Sequence, residues 1–362
     1  MCCVGLAARA QTTIIDSFQC DGVSRSYRLY VPANYVASAQ HPLILNMHGL
    51  GSDATQQQYY SYFMPIADTA QFLMVYPQGL TAQGFTYWNC GIPLTPPTND
   101  VKFLSALIDT MAKRYTVDLH RVYATGLSMG GYMSYYLALH LPGRITAIAS
   151  VAGSMDPAIY PPAAPTRGIP VMQVHGTADG TVPYNGYANG IHIDTLVQYW
   201  VRANGCTATP VQTAVPDVNT TDGCTATHYV WSGGTAGATV ELYKVTGGGH
   251  TWPGAVNIGL PTDQDFSASA EIWRFFRGYR LNQFLAVEQV DATPVKALSW
   301  PNPCGDVLHL QEKAAVTLTD MNGKVVLRQS VPATDIPVRN LAPGVYMLRA
   351  DGGSAAVKIV KE

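Results

Sequence analysis

Charge is scarce in this chain. Only 13% of its 362 residues are Asp, Glu, Lys or Arg, and the formal net charge is −2. So little charge, so evenly balanced, excludes the basic surface that nucleic acid or an anionic membrane demands. No run of about 18 apolar residues occurs, so no membrane-spanning helix is expected. Metal-ligand spacing is also missing. There is no C-x-x-C and no H-E-x-x-H, so zinc chemistry is disfavoured and no metal or cofactor is expected. Glycine (33), tyrosine (21) and tryptophan (6) are plentiful, and 362 residues suffice for a large core plus a second, smaller unit.

The most informative segment is Gly126-Leu127-Ser128-Met129-Gly130. Arg121 to Thr125 before it reads as a short buried strand, and Gly131 to Leu141 after it as a helix. A strand turning sharply into a helix at G-x-S-x-G is a nucleophile elbow, with Ser128 exposed on the turn and free helix N–H groups below it. Its partners must follow in the order acid, then histidine. Val171 to His175 reads as a strand running into Gly176-Thr177-Ala178-Asp179-Gly180. Thr239 to Val245 reads as the next strand and runs into Gly247-Gly248-Gly249-His250. Asp179 and His250 thus fall at strand ends, where ligands approach an open α/β sheet. In that geometry neutral His250 takes the proton of Ser128, and Asp179 fixes the imidazole tautomer. Pro42 to Met47 is a strand running into His48-Gly49-Leu50-Gly51-Ser52, so the backbone N–H groups of Leu50 and Met129 are the expected oxyanion donors. His48 is expected to serve that loop rather than act as a second base.

Several stretches resemble the extracellular polyhydroxybutyrate depolymerase and feruloyl or acetyl-xylan esterase group, carbohydrate esterase family 1 in the broad sense. They are Ser24 to Pro32, Met47-His48-Gly49, Asn99 to Leu104, Arg121 to Gly131, His175 to Tyr184 and Gly247 to Gly254. The resemblance covers roughly residues 22 to 285. It implies an α/β-hydrolase fold, a mostly parallel sheet with helices on both faces. It also implies hydrolysis of carboxylic esters through an acyl-enzyme, with Ser128, Asp179 and His250 as the triad. Plant polysaccharide carrying feruloyl or acetyl groups is the favoured substrate, with an aliphatic polyester next. A non-catalytic surface protein and a peptidase are the competing classes. The first is opposed by the complete triad, and the second by the want of a large module for selecting peptides. Trp88, Tyr184 and Trp252 lie near these motifs and are expected to line the substrate pocket as flat, rigid contact area.

Residues 1–10 read as the end of a signal peptide, with Ala8-Arg9-Ala10 as the small-x-small site before Gln11. An oxidising compartment makes Cys206 and Cys224, which share one irregular insertion, candidates for a disulfide. Cys20 and Cys90 form a weaker possible pair, leaving Cys304 over. The hydrolase is expected to end near residue 285 with a helix over Ser267 to Leu281, followed by a linker over 286–295.

Residues 296–362 read as short strands separated by turns, with Asn322-Gly323 as a hairpin signal, and so as a small all-β sandwich. This tail resembles the C-terminal sorting domain of the type IX secretion system. The resemblance rests on Asn302-Pro303, Thr319 to Lys324, Asn340 to Tyr346 and Val357 to Lys361. It implies interaction with that secretion machinery and delivery to the cell surface or the medium. A polymer-binding module is the alternative, and the segment has few aromatics to build one.

Overall fold

His41–Met47, with the sequence HPLILNM, has every side chain buried, and so do Leu73–Pro77, Ala147–Val151 and Val171–Gly176. Continuous burial is what a strand experiences when helices cover both faces of its sheet. The computed structural model describes residues 12–91, 98–160, 165–283, 299–320, 324–350 and 356–362. The expected signal segment, the linker over 286–295 and the Asn322-Gly323 turn lie outside those residues. The chain divides into two units, residues 1–285 and 286–362.

In chain order the first unit contains β1 (Thr12–Cys20), β2 (Val23–Val31), β3 (His41–Met47), α1 (Ala54–Ser61), α2 (Met64–Ala70), β4 (Leu73–Pro77), β5 (Leu80–Ala82) and β6 (Phe85–Tyr87). Then come α3 (Asp100–Arg114), β7 (Val117–Leu127), α4 (Met129–His140), β8 (Ala147–Val151), β9 (Val171–Gly176), α5 (Ile193–Ala203), β10 (Val211–Ala214), β11 (Thr225–Trp231), β12 (Val240–Thr246) and α6 (Ala268–Phe276). Ten strands form one sheet in the order β1-β2-β4-β3-β7-β8-β9-β12-β11-β10. The pairings from β4 through β12 are parallel, while β1, β2, β11 and β10 add antiparallel edges.

Alternation along each strand splits the core into two layers. Leu43, Leu45, Val122, Ala124, Ile148, Val171 and Leu242 pack with α3, α4 and α5. Their neighbours Ile44, Tyr123, Ala147, Met172 and Tyr243 pack with α6 on the other face. The α/β fold is therefore as expected; β3, β9 and β12 lie within a residue of their expected limits, whereas β7 begins four residues before the expected Arg121 and ends two after Thr125. The last helix is shorter than expected. It begins after the Ser267 cap and stops at Phe276, and Leu281 belongs to a separate single turn. No helix among the described residues is long and apolar enough to cross a membrane.

The expected Cys206–Cys224 disulfide is absent, and both residues are free thiols, as are Cys20 and Cys304. The sheet explains why. Cys206 follows α5 and packs against the core layer of α3, α4 and α5. Cys224 enters β11 with its side chain in the opposite layer. Two side chains separated by a sheet cannot meet the short Cβ–Cβ spacing of a disulfide.

In the second unit, β13 (Ser299–Trp300), β14 (Val307–Asp320), β15 (Val325–Pro337), β16 (Gly344–Ala350) and β17 (Ala356–Lys361) form one antiparallel sheet. Where short strands were expected, Val307–Asp320 forms the single long strand β14. Its register against β15 shifts between His309 and Ala314. Such shifts bend a ladder, and Leu308, Val316, Leu318, Ile336, Leu348 and Ile359 pack into one core.

Candidate active site

Ser128 stands between β7 and α4 with φ 55° and ψ −120°, a strained backbone for a residue with a side chain. The turn is possible because its flanks are glycine. A Cβ on Gly126 would lie 2.5 Å from the Met47 carbonyl oxygen, and one on Gly130 would lie 2.1 Å from it. The elbow is therefore pressed against the end of β3, which brings the loop after β3 beside the serine. Gly49 sits against Ser128 Cβ. Among the described residues no backbone hydrogen bond uses the N–H of Leu50 or of Met129. Both residues line the same cavity as Ser128. These are the conditions an oxyanion hole requires: fixed, unspent donors beside the nucleophile.

Asp179 follows β9 and is buried. Its Oδ1 accepts from the Thr181 and Val182 N–H groups, each at 2.8 Å, and its Oδ2 lies 2.8 Å from His250 Nδ1. Burial alone would raise the pKa of Asp179, but the His250 contact and the Val182 N–H outweigh it and hold the carboxyl below its ordinary value. His250 Nδ1–H therefore donates to a carboxylate, which leaves Nε2 with its lone pair free to accept a proton. The acid and base loops are laced together. Ala178 N–H donates to the Gly248 carbonyl at 2.9 Å, and Gly247 N–H donates to Thr177 Oγ1 at 3.0 Å. A Cβ on Gly176 would collide with Gly248 O at 2.1 Å, so glycine is needed for this approach.

Ser128 and His250 share the wall of a cavity of about 440 Å³ with Leu50, Met129, Tyr132 and Tyr187. The Tyr132 and Tyr187 hydroxyls are 3.3 Å apart. Tyr132 lies four residues after Ser128, on the first turn of α4, a spacing that the helix reading of Gly131 to Leu141 could have used. Tyr187 and Asn189 reach the cavity from an irregular loop, for which the sequence carries no comparable signal.

The three aromatic residues expected in the pocket are elsewhere. Trp88 is fully buried and donates its indole N–H to the His48 carbonyl at 2.9 Å. Trp252 is buried in the opposite core layer and donates to Ser269 Oγ at 3.0 Å. Tyr184 is buried with its hydroxyl on Asp194. Each has an apolar ring in the core and its polar atom spent, so they brace the loops around the site instead of lining it. His48 also serves the loop. Its Nδ1–H donates to the Gly49 carbonyl at 2.7 Å, and its Nε2 accepts from Gly79 N–H at 2.9 Å. Burial lowers its pKa against the opposing pull of that carbonyl, so it stays neutral.

Sequence reasoning missed His175. It is buried beneath Asp179, with Nε2 3.5 Å from Asp179 Oδ2 and 2.8 Å from the Val182 carbonyl. Gln173 donates to its Nδ1 at 2.8 Å, which makes Nε2 the protonated nitrogen. Burial pushes this imidazole down to about 4 despite the carbonyl and the carboxylate nearby.

A serine on a sharp strand-to-helix turn after β7, an acid after β9 and a histidine after β12, at the ends of parallel strands of a sheet covered on both faces, define an α/β-hydrolase. A Phospholipase/Carboxylesterase family model matches residues 98–196. The bifunctional acetylxylan esterase/xylanase XynS20E of Neocallimastix patriciarum is 30% identical over 257 residues, 68% of this chain and 34% of that protein. "Putative esterase NocK" of Nocardia uniformis subsp. tsuyamanensis is 31% identical over 252 residues, 64% of this chain and 72% of the relative. This chain thus spans about a third of the first relative's length and nearly three quarters of the second's. The acetyl xylan esterase from Aspergillus awamori has the same fold, with a TM-score of 0.55 at 16% identity over 74% of this chain and 98% of that one. The chain belongs to the α/β-hydrolase esterase family that includes feruloyl and acetylxylan esterases and polyhydroxyalkanoate depolymerases. Residues 299–362 match the secretion system C-terminal sorting domain, which marks the protein for the type IX route to the surface or the medium.

Proposed function

We propose that this protein is an exported serine esterase that removes feruloyl or acetyl groups from plant polysaccharide. One observation carries the proposal: the Asp179–His250 hydrogen bond opens onto a cavity whose wall also holds Ser128. His250 Nε2 takes the Ser128 hydroxyl proton as Oγ attacks the ester carbonyl carbon. The Leu50 and Met129 N–H groups stabilise the oxyanion. The tetrahedral adduct collapses, His250 protonates the departing alcohol, and an acyl-serine remains. Water, deprotonated by His250, attacks that acyl group. Serine is then expelled and regains its proton.

The cavity supports an aromatic acyl group. About 440 Å³ is far more than an acetyl group fills, and the Tyr132 and Tyr187 rings offer flat faces with hydroxyls for a phenolic substrate. A second reading, hydrolysis of an aliphatic polyester, is favoured by exposed Val256, Ile258 and Leu260 on the segment after His250, which could lie on an apolar polymer surface. The full-length protein should be assayed beside its Ser128→Ala variant on methyl ferulate, acetylated xylan and amorphous polyhydroxybutyrate. Ser128-dependent release of ferulate or acetate supports the first reading. Release of hydroxybutyrate alone selects the second. If the wild type hydrolysed none of these and no short p-nitrophenyl ester, the esterase assignment would fail.

A further inference from the structure

Among the described residues, Asp222, Asp263 and Asp265 form a cluster of three carboxylates that could hold a metal ion. Each offers a carboxylate oxygen, and the three oxygens lie within 4.8 Å of one another. Backbone N–H groups satisfy only part of them. Asp222 accepts from Cys224 N–H at 2.8 Å and from Gln264 N–H at 2.7 Å. Asp263 Oδ1 accepts from Asp265 N–H at 2.9 Å, and Asp265 Oδ1 accepts from Val218 and Asn219 N–H, both at 2.8 Å. Asp263 Oδ2 and Asp265 Oδ2 are buried without a hydrogen-bond partner, and Asp263 is completely buried. Among the described residues no Lys, Arg or His forms an ion pair with any of the three.

A buried carboxylate oxygen with neither donor nor cation is costly, and two of them side by side are more so. We infer that Asp222, Asp263 and Asp265 bind one calcium ion. All the donors are hard carboxylate oxygens, which exclude softer transition metals as the natural occupant. Calcium–oxygen bonds of about 2.4 Å let one ion touch oxygens up to about 4.8 Å apart, and calcium tolerates irregular, multi-carboxylate geometry better than magnesium does. An exported protein also meets the calcium levels at which such modest sites fill.

The ion would tie the connection between β10 and β11, through Asp222, to the segment that follows His250. That segment returns to the base loop through Gly249 N–H on the Pro261 carbonyl and Gly254 N–H on the Asp263 carbonyl, both at 2.8 Å. Calcium is thus a clamp on the histidine loop, outside the chemistry itself.

The test uses the full-length protein, stripped with a chelator and titrated with calcium chloride, with magnesium chloride as control. Thermal unfolding and terbium luminescence are the readouts, so the result does not depend on any ester being turned over. At saturating calcium the midpoint should rise by roughly 5 °C or more, magnesium should do much less, and calcium should displace bound terbium. Asp263→Asn should abolish the calcium response and, without calcium, melt above the wild type, because a neutral amide relieves the uncompensated charge. Should that variant fail to fold, half-buried Asp265→Asn gives the same comparison. A wild-type midpoint indifferent to calcium, with terbium not displaced, overturns the proposal. An equal rise with magnesium overturns the assignment to calcium.

Discussion

His175 and Asp179 show how much of this site lies beneath its visible surface. Asp179 has both oxygens committed, one to two backbone N–H groups and one to His250. Replacing it with asparagine keeps the shape and removes the charge that stabilises the imidazolium. Asp179→Asn should lower kcat by about 10⁴-fold with little change in KM, measured on a soluble ester. His175 gives a pH signature. Its folded pKa of about 4 lies below the ordinary 6.5, so between those values the unfolded chain binds a proton that the native protein refuses. Stability should therefore fall as pH drops from about 6.5 towards 4, by about 3 kcal/mol from this group. Urea unfolding at pH 7 and pH 4.5 measures it. His175→Gln, which can still pair with Gln173 and the Val182 carbonyl, should lose less. Parallel losses in the two proteins would remove His175 as the cause.

At the scale of elements, two of the sequence stretches that carry the family resemblance meet in one buried contact. Arg25 of β2 lies 2.6 Å from Asp100 at the start of α3, and its guanidinium lies 3.8 Å above the Phe103 ring. Asp100 also accepts from Asn89 N–H at 2.7 Å, tying down the loop that carries Trp88. Asp100→Ala strands a buried arginine and should cost about 3–5 kcal/mol in urea unfolding. Trp88→Phe keeps the ring but leaves the His48 carbonyl without its donor. It should reduce stability by about 1–3 kcal/mol and lower kcat more than KM, since the Leu50 loop loses a brace. Four of the hydrolase strands, those leading into the His48, Ser128, Asp179 and His250 motifs, were legible in sequence because strand burial and loop chemistry are local. The places of Trp88, Tyr184 and Trp252 were not, because an aromatic beside a motif looks the same whether its ring faces a pocket or a core. Cys206 and Cys224 misled for a related reason. Closeness along the chain says nothing of which face of a sheet a side chain occupies.

For the whole molecule, the division at about residue 285 separates the esterase unit from the sorting unit, each with its own core. Deleting residues 296–362 should leave ester hydrolysis intact in cell extracts while abolishing activity at the surface and in the medium. Fractionation with a chromogenic ester checks this. An extract that also lost activity would show that the tail is needed for more than export.

The order of strands has a consequence for biogenesis. His250 and Asp179 meet across 71 positions of chain, and they meet only when β12 has added itself beside β9. On the mechanism proposed above, a chain interrupted before that pairing holds a serine and an acid but no base, and should be inert towards esters. Activity thus appears only after β12, late in the chain, has joined the sheet, and every active molecule has completed that long-range pairing.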